Sequence, residues 1–301
     1  MIFPENLKKG DTIGITCPAG YMEYKNAETC IRTLQQWGYE VMVGKTLGSK
    51  SKNYFSGTDN DRCDELQAML DDPGINAILC GRGGYGLGRI IDMLDFTQFR
   101  QNPKWVIGFS DITVIHSRLT RLGIASLHAP MAAAFNENGF KNKYVQSLNT
   151  VLQGEKMKYT AKPFKHNRTG KVTAELTGGN LSLIAHLCGT PDALHTAGKI
   201  LFLEDIGEHL YNIDRMLWQL KRNGMFNDLA GLILGGFTDM KDTTRPFGKK
   251  TEEALNDIFS EYKYPVCYRF PISHEKENVA VKVGGRYQLN VSKDNAELKE
   301  V

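Results

Sequence analysis

The sequence predicts an α/β protein of two domains: an N-terminal, mostly parallel sheet flanked by helices, and a smaller C-terminal mixed α/β domain. Three observations carry this. Short apolar runs alternate with stretches of helical periodicity through the first 130 residues. The rhythm breaks over the polar residues 136–170 and resumes near residue 172 with strands more closely spaced. A chain of 301 residues is long enough for two domains, each with its own core. The division expected is 1–150, a crossover over 151–170, and 171–301.

The elements follow in order. DTIGITCPAG (11–20) is an apolar run closed by proline and glycine, a first strand. KNAETCIRTLQQWG (25–38) has helical spacing and a glycine stop. YEVMVG (39–44) reads as a strand, and DNDRCDELQAMLDDPG (59–74) as a helix with acidic residues at its start. NAILCGRGG (76–84) runs from strand into glycine-rich loop, and GLGRIIDML (86–94) is a short helix. WVIGFSD (105–111) is a strand and turn, ITVIHSRLTRLG (112–123) a helix, and IASLHAP (124–130) closes the series. This alternation is that of a parallel sheet with crossover helices.

FNENGFKNKY and FKHNRTGK read as loop. Beyond them VTAELTGGNLSLIAHLCG (172–189) is a strand and then a helix. KILFLEDIG (199–207) is a strand that emerges at acidic residues, and YNIDRMLWQLKRNG is a helix. LAGLILGGF (229–237) is a strand, and TEEALNDIFSEY (251–262) a helix capped by its threonine. PVCYRFPISH, NVAVKVGG and RYQLNV supply late strands, assigned to the second domain with antiparallel pairing.

Composition excludes several classes. The net charge is +3, with 24% charged and 41% hydrophobic residues, and no dense block of Lys and Arg. No nucleic-acid partner is expected. The start, MIFPENLKKGDTIGI, lacks the apolar stretch of a secretory signal, and no run is long enough to cross a bilayer. The six cysteines are scattered, with no CxxC pair, and read as buried thiols of a cytoplasmic protein. No HExxH or compact His/Cys/Asp cluster suggests a metal, and no GxxxxGK[ST] suggests a nucleotide.

Ligands of open α/β sheets gather outside the C-terminal ends of the strands. Four such ends carry chemistry here: GRGG at 81–84, GFSD at 108–111, ED at 204–205 and SH at 273–274. GFSD has the form of a nucleophile elbow, a tight strand-to-helix turn that lifts a serine oxygen above the sheet. Gly108 stands two before Ser110, but Ile112 occupies the place of the usual second glycine. The competing role is a helix cap by Ser110 or Asp111. A serine nucleophile needs a base and a carboxylate to orient it. Spacing alone leaves His128, His209 and His274 open as bases; His116 sits on the serine's own helix, and His186 reads as structural. Glu204, directly after ILFL, is a strand-end carboxylate, with Asp205 and Glu208 competing. The glycines of GRGGYG let backbone N–H groups approach a ligand, where they could meet an oxyanion.

Taken together and in order, CGRGGYGLGRIIDMLDF, NPKWVIGFSDIT, LHAP, LTGGNLSLI, LFLEDIGEHLYNIDRML, GLILGGF and PISH resemble the LD-carboxypeptidases. These are serine peptidases of peptidoglycan recycling, whose relatives include microcin C immunity carboxypeptidases. The similarity spans residues 8–290. It implies a Ser-Glu-His triad, carried onto Ser110, Glu204 and His274, with Glu208 in reserve for the carboxylate. It implies oxyanion donors at the amides of Gly84 and Asp111. Where the family often has glycine before the histidine, Ser273 stands here.

The implied reaction releases terminal D-Ala from a murein tetrapeptide, with no metal or cofactor, in a cytoplasmic homodimer that needs no membrane. Arg82, beside the glycine loop, is a candidate for the substrate's terminal carboxylate. Which third residue the peptide carries, diaminopimelate or lysine, is left open. Two other readings stand beside this one. An immunity-type enzyme would share the triad but cleave peptidyl-nucleotides or aminoacyl-adenylate analogues. A non-catalytic protein binding a small anion or peptide would use Ser110 only as a cap.

Overall fold

The computed structural model describes all 301 residues and divides them into two compact units. One comprises Met1–Glu155 with Val279–Gly284; the other comprises Lys156–Asn278 with Gly285–Val301.

In the first unit, strands β1 (Thr12–Thr16), β2 (Glu40–Val43), β3 (Ala77–Cys80), β4 (Trp105–Gly108) and β5 (Ser126–His128) form a parallel sheet in the order β2-β1-β3-β4-β5. Every residue of β3, β4 and β5 is buried, as a parallel sheet covered on both faces requires. The connecting helices include α1 (Glu28–Gln36), α2 (Asp59–Asp71), α3 (Leu87–Ile90), α4 (Thr97–Gln101) and α5 (Thr113–Arg121). Helix α2 starts at a reciprocal cap: the Thr58 hydroxyl accepts the Asp61 N–H, and the Asp61 carboxylate accepts the Thr58 N–H. The strand order reverses direction between β1 and β3, and a crevice opens at such a switch point. The loops PAG (18–20) and GRGGYG (81–86) leave the sheet there, joined by Gly20 N–H donating to Gly83 O at 3.0 Å.

The polar stretch 136–170 is more structured than expected. It contains α6 (Lys143–Leu152) and strand β6 (Lys158–Ala161). Helix α6 is capped by the Asn142 side chain and buries Val145, Leu148, Val151 and Leu152.

In the second unit, β7 (Gly170–Asn180), β8 (Ile200–Ile206), β9 (Gly231–Thr238) and β10 (Val266–Tyr268) are parallel neighbours. Helices α7 (Leu181–Leu187), α8 (Leu210–Arg222) and α9 (Thr251–Phe259) supply Leu181, Ile213, Leu217, Leu255 and Ile258 to the core beside this sheet. Helix α9 is capped by Lys250 rather than Thr251: Glu253 accepts the Lys250 N–H at 2.9 Å.

The strand Val281–Val283, β11, departs from the expected assignment. It pairs antiparallel with β5 and completes the first sheet instead of joining the second. Covering the exposed edge of β5 accounts for its place, and local sequence carries no mark of which sheet a short apolar strand will join. The last strands, β12 (Arg286–Val291) and the unanticipated β13 (Ala296–Glu300), add antiparallel to β7 and to each other, and β6 closes the edge. The second sheet therefore runs β10-β9-β8-β7-β12-β13-β6.

Gly178 in β7 shows how tightly the second sheet is built. A Cβ there would lie 2.0 Å from the Phe202 carbonyl oxygen, at a φ of +144°. Gly178→Ala is expected to cost about 3 kcal/mol or more. A thermal melt should show a fall of about 5–10 °C, and an unchanged melt would contradict the packing.

Candidate active site

The turn after β4 has the geometry the GFSD motif predicts. Phe109 is extended, and Ser110 then takes a φ of +64°, in the left-handed region that side chains other than glycine rarely adopt. A short 3-10 turn, Ser110–Ile112, leads into α5. The missing second glycine has a packing explanation. The Ile112 side chain folds back over Gly108, where a Cβ would lie 2.8 Å from Ile112 Cγ1. Capping is not what these residues do: the cap positions fall on Phe109 and Ile112, and neither uses a side chain. The Asp111 carboxylate, 1% exposed, accepts the Leu87 N–H at 2.8 Å instead.

The glycine-rich loop lies against the serine. A Cβ on Gly83 would stand 2.9 Å from Ser110 Cβ and 3.2 Å from the Phe109 carbonyl oxygen. Gly84 follows with a φ of +95°. Arg82 is exposed and donates through Nη1 to the Tyr21 carbonyl at 2.8 Å.

His116 supports the elbow from beneath. Its Nε2–H donates to Gly108 O at 2.9 Å, and its Nδ1 accepts from the Ser126 hydroxyl at 2.8 Å. Burial lowers its pKa to about 4, against the pull of the Gly108 carbonyl, so the neutral ring keeps both roles near pH 7. His128 is fully buried on β5, its ring 5.7 Å from that of Phe109.

In the second unit, the strand LFLED delivers its first carboxylate as expected. Glu204 is wholly buried, and its Oε2 lies 2.5 Å from His274 Nδ1. The pairing of β8 with β9 slips between Leu203 and Asp205, so the ladder is irregular at this residue. His274 sits on the segment after β10, which runs close against β9. Cβ atoms on Gly235 and Gly236 would meet Ile272 O at 2.0 Å and Ser273 Cβ at 2.3 Å. Ser273 pins the histidine's backbone: its hydroxyl donates to Glu277 O at 3.1 Å and accepts the Glu275 N–H at 2.9 Å. Burial works to lower the His274 pKa. The Glu204 hydrogen bond and the charges of Glu204 and Asp205 outweigh it, and the net shift is upward from 6.5.

The competing carboxylates are engaged elsewhere. Asp205 accepts from Asn180 Nδ2, the Ser182 N–H, the Ser182 hydroxyl and its neighbour Ile206 N–H, at 2.7–2.9 Å. Burial raises it to about 6, the Ser182 hydrogen bond opposing and the Glu204 charge adding. Glu208 accepts from Asn212 Nδ2 at 3.0 Å and from Ser182 Oγ at 3.3 Å. His209 caps no helix with its side chain and stacks on Tyr211. His186, expected to be structural, is exposed on α7. Of the candidate bases and carboxylates within this unit, the pair brought into contact is Glu204 with His274.

Two family models match: the LD-carboxypeptidase N-terminal domain over residues 13–129 and the LD-carboxypeptidase C-terminal domain over residues 173–289. The chain belongs to the LD-carboxypeptidase family. It is a peptidase of the serine class. Similar proteins include a probable murein peptide carboxypeptidase of Bacillus subtilis, 34% identical, covering 97% of this chain and 93% of that one. The murein tetrapeptide carboxypeptidase of Pseudomonas aeruginosa is 31% identical, covering 90% and 91%. Among solved structures, a muramoyltetrapeptide carboxypeptidase from Oxalobacter formigenes superposes with a TM-score of 0.87 at 29% identity, covering 96% and 98%. In this LD-carboxypeptidase the first matched region contains the glycine loop and Ser110, and the second contains Glu204 and His274.

Sequence reasoning missed two buried side chains that hold backbone carbonyls near the glycine loop and the serine turn. It sets His116 aside as facing elsewhere, and it does not single out Arg62, which is fully buried on α2. The only signal for Arg62 is an arginine among the apolar positions Cys63, Leu66, Met69 and Leu70 of a helix.

Proposed function

We propose that the protein is an LD-carboxypeptidase that releases terminal D-Ala from murein tetrapeptides by serine catalysis. Ser110 is the nucleophile, His274 the general base and Glu204 the carboxylate that holds the imidazole in its working tautomer. The observation that carries this reading is the buried Glu204–His274 contact of 2.5 Å, at the two residues assigned to those roles. With Nδ1–H committed to Glu204, Nε2 is the nitrogen left to take the serine proton. The serine oxygen attacks the carbonyl that joins the third residue to D-Ala. The amides of Gly84 and Asp111 receive the developing oxyanion. D-Ala leaves with the proton from His274, and water, activated by the same imidazole, hydrolyses the acyl-enzyme. Arg82, exposed and steadied by the Tyr21 carbonyl, is the contact for the substrate's free carboxylate.

The murein tetrapeptide as substrate is supported by the names of the Bacillus, Pseudomonas and Oxalobacter relatives. A cytoplasmic setting fits six unpaired cysteines, five of them buried. No helix is long and apolar enough to cross a membrane. The assembly proposed is a homodimer, to be read by sedimentation.

The test is mass spectrometry of purified protein incubated with L-Ala-γ-D-Glu-meso-diaminopimelate-D-Ala and with its lysine counterpart. Loss of one alanine from the D-Ala peptide, and none from the same peptide ending in L-Ala, is the expected result. Turnover of an aminoacyl-sulfamoyl adenosine with neither tetrapeptide cleaved would replace the murein reading by the immunity type. Cleavage of nothing, with no covalent labelling by a fluorophosphonate, would leave only a binding protein.

A further inference from the structure

One peptide unit beside the site is gripped at both ends by buried side chains, a guanidinium and a carboxyl. The peptide joins Gly86 to Leu87, where the glycine-rich loop passes into α3. Its carbonyl oxygen accepts from Arg62 Nη1 at 3.1 Å, and its N–H donates to Asp111 Oδ2 at 2.8 Å. Arg62 is 0% exposed and Asp111 is 1% exposed. A fully buried guanidinium is rare, because removing its charge from water is costly unless it is paired and hydrogen-bonded. Here Nη1 also donates to Pro18 O at 2.6 Å, Nη2 pairs with Asp59, and the guanidinium lies 4.8 Å over the Phe55 ring. Gly86 makes the space: a Cβ there would lie 2.7 Å from Arg62 Nη1, at a φ of +150°.

We propose that Arg62 and Asp111 are positioning residues of the hydrolytic site, clamping the Gly86–Leu87 peptide so that the glycine-rich loop holds its Gly84 amide ready for the oxyanion. The proposal rests on the reading of Ser110 as nucleophile and of Gly84 as a donor. A peptide unit held with its oxygen on a guanidinium and its N–H on a carboxyl oxygen cannot flip without breaking two buried hydrogen bonds, the first of them charge-assisted. On the near side of Gly84 the chain is fixed as well, by the Gly20 N–H to Gly83 O bond. The donor therefore lies between two anchored points. Fixed donors are worth more than mobile ones because they need no reorganisation as charge develops. Asp111 has a double part: its backbone belongs to the elbow, and its side chain ties the elbow to the opposite loop.

The test is a double-mutant cycle on Arg62→Met and Asp111→Asn, with Gly86→Ala as a third variant that drives a methyl into the guanidinium. Each folded variant is assayed for kcat and KM on the tetrapeptide and for inhibition by a peptide boronate that mimics the tetrahedral intermediate. Arg62→Met should lower kcat by about 100-fold, the scale of a lost oxyanion donor, with KM within threefold. The boronate should lose affinity by the same factor as kcat. Asp111→Asn, which keeps an oxygen for the Leu87 N–H, should lose about tenfold. The double variant should be little worse than Arg62→Met, because both act through one peptide. Multiplying effects, or a raised KM with kcat unchanged, would overturn the clamp.

A readout independent of turnover covers variants that are inactive or poorly stable. In the Ser110→Ala background, hydrogen exchange at residues 84–88 should quicken at least tenfold with Arg62→Met or Arg62→Lys while β3 and β4 stay protected. Unchanged exchange there would also overturn it. Retention of hydrolysis by Ser110→Ala alone would instead overturn the nucleophile assignment beneath it, and the exchange result would still decide whether the loop is clamped.

Discussion

Ser110→Ala is expected to abolish D-Ala release, with kcat lowered by about 10⁴–10⁶-fold, while the protein melts at or slightly above the wild-type temperature. The two parts have separate causes. Alanine keeps the Cβ that Gly83 leaves room for and removes only the hydroxyl oxygen. No helix cap is lost, because Ser110 makes none. The φ of +64° is strained for any residue with a Cβ. Ser110→Gly should therefore be inactive and more stable, by about 1 kcal/mol. Activity assays on tetrapeptide with parallel calorimetry check both. Full activity in Ser110→Ala would remove the nucleophile assignment. A glycine variant no more stable than wild type would remove the claim that the elbow holds strain.

Glu204→Gln should lower the plateau kcat by about 10³–10⁴-fold, a loss of the size seen when the orienting carboxylate of a triad becomes an amide, and should move the acid limb of the pH profile. In the wild type, burial lowers the His274 pKa, but the Glu204 hydrogen bond and the charges of Glu204 and Asp205 bring the net shift above 6.5. The base must be neutral to act, so kcat/KM rises with pH through that elevated value. Removing the Glu204 charge lets desolvation dominate, and the limb should move to lower pH. Stability carries the same linkage with a definite sign. A pKa raised by folding means that the native state holds the proton more tightly. That contribution is fully present below pH 6.5 and is lost as pH rises through the folded value. Melting temperature followed from pH 5 to 9 should show this fall in the wild type and lose it in Glu204→Gln. An acid limb that stays in place would mean that another group sets the profile.

Much of the fold is legible because its central strands are apolar on both faces. AILC at 77–80 and WVIG at 105–108 are fully buried and announce themselves as runs without alternation. Helix α6 carries the buried positions Val145, Leu148, Val151 and Leu152, but the polar residues before it hide its start. Strand β13, AELKE, turns inward only Ala296, Leu298 and Glu300, and Glu and Lys are poor strand formers. The Thr251 cap fails because the reciprocal Lys250–Glu253 bond begins the helix one residue earlier. At the candidate site, the ends of apolar runs single out Ser110 and Glu204 as candidates, while the choice of His274 over His128 and His209 comes from the family resemblance. Arg62 and His116 are not legible in this way. Each acts on a backbone carbonyl 24 or 8 residues distant, and only the tertiary fold decides which carbonyl that is.

The late arrival of β11 has a consequence for synthesis on the ribosome. The edge of β5 ends at His128, and the strand that covers it is Val281–Val283. Some 150 residues separate them, which at bacterial or eukaryotic elongation rates is a delay of about 10–30 s. Throughout that interval the nascent first sheet presents an unpaired edge, the kind of template on which neighbouring nascent chains can pair wrongly. A fragment ending at residue 155 would carry that open edge permanently. The first unit is thus finished by a strand made long after the rest of its sheet, and chaperone capture during translation is expected to centre on the β5 edge.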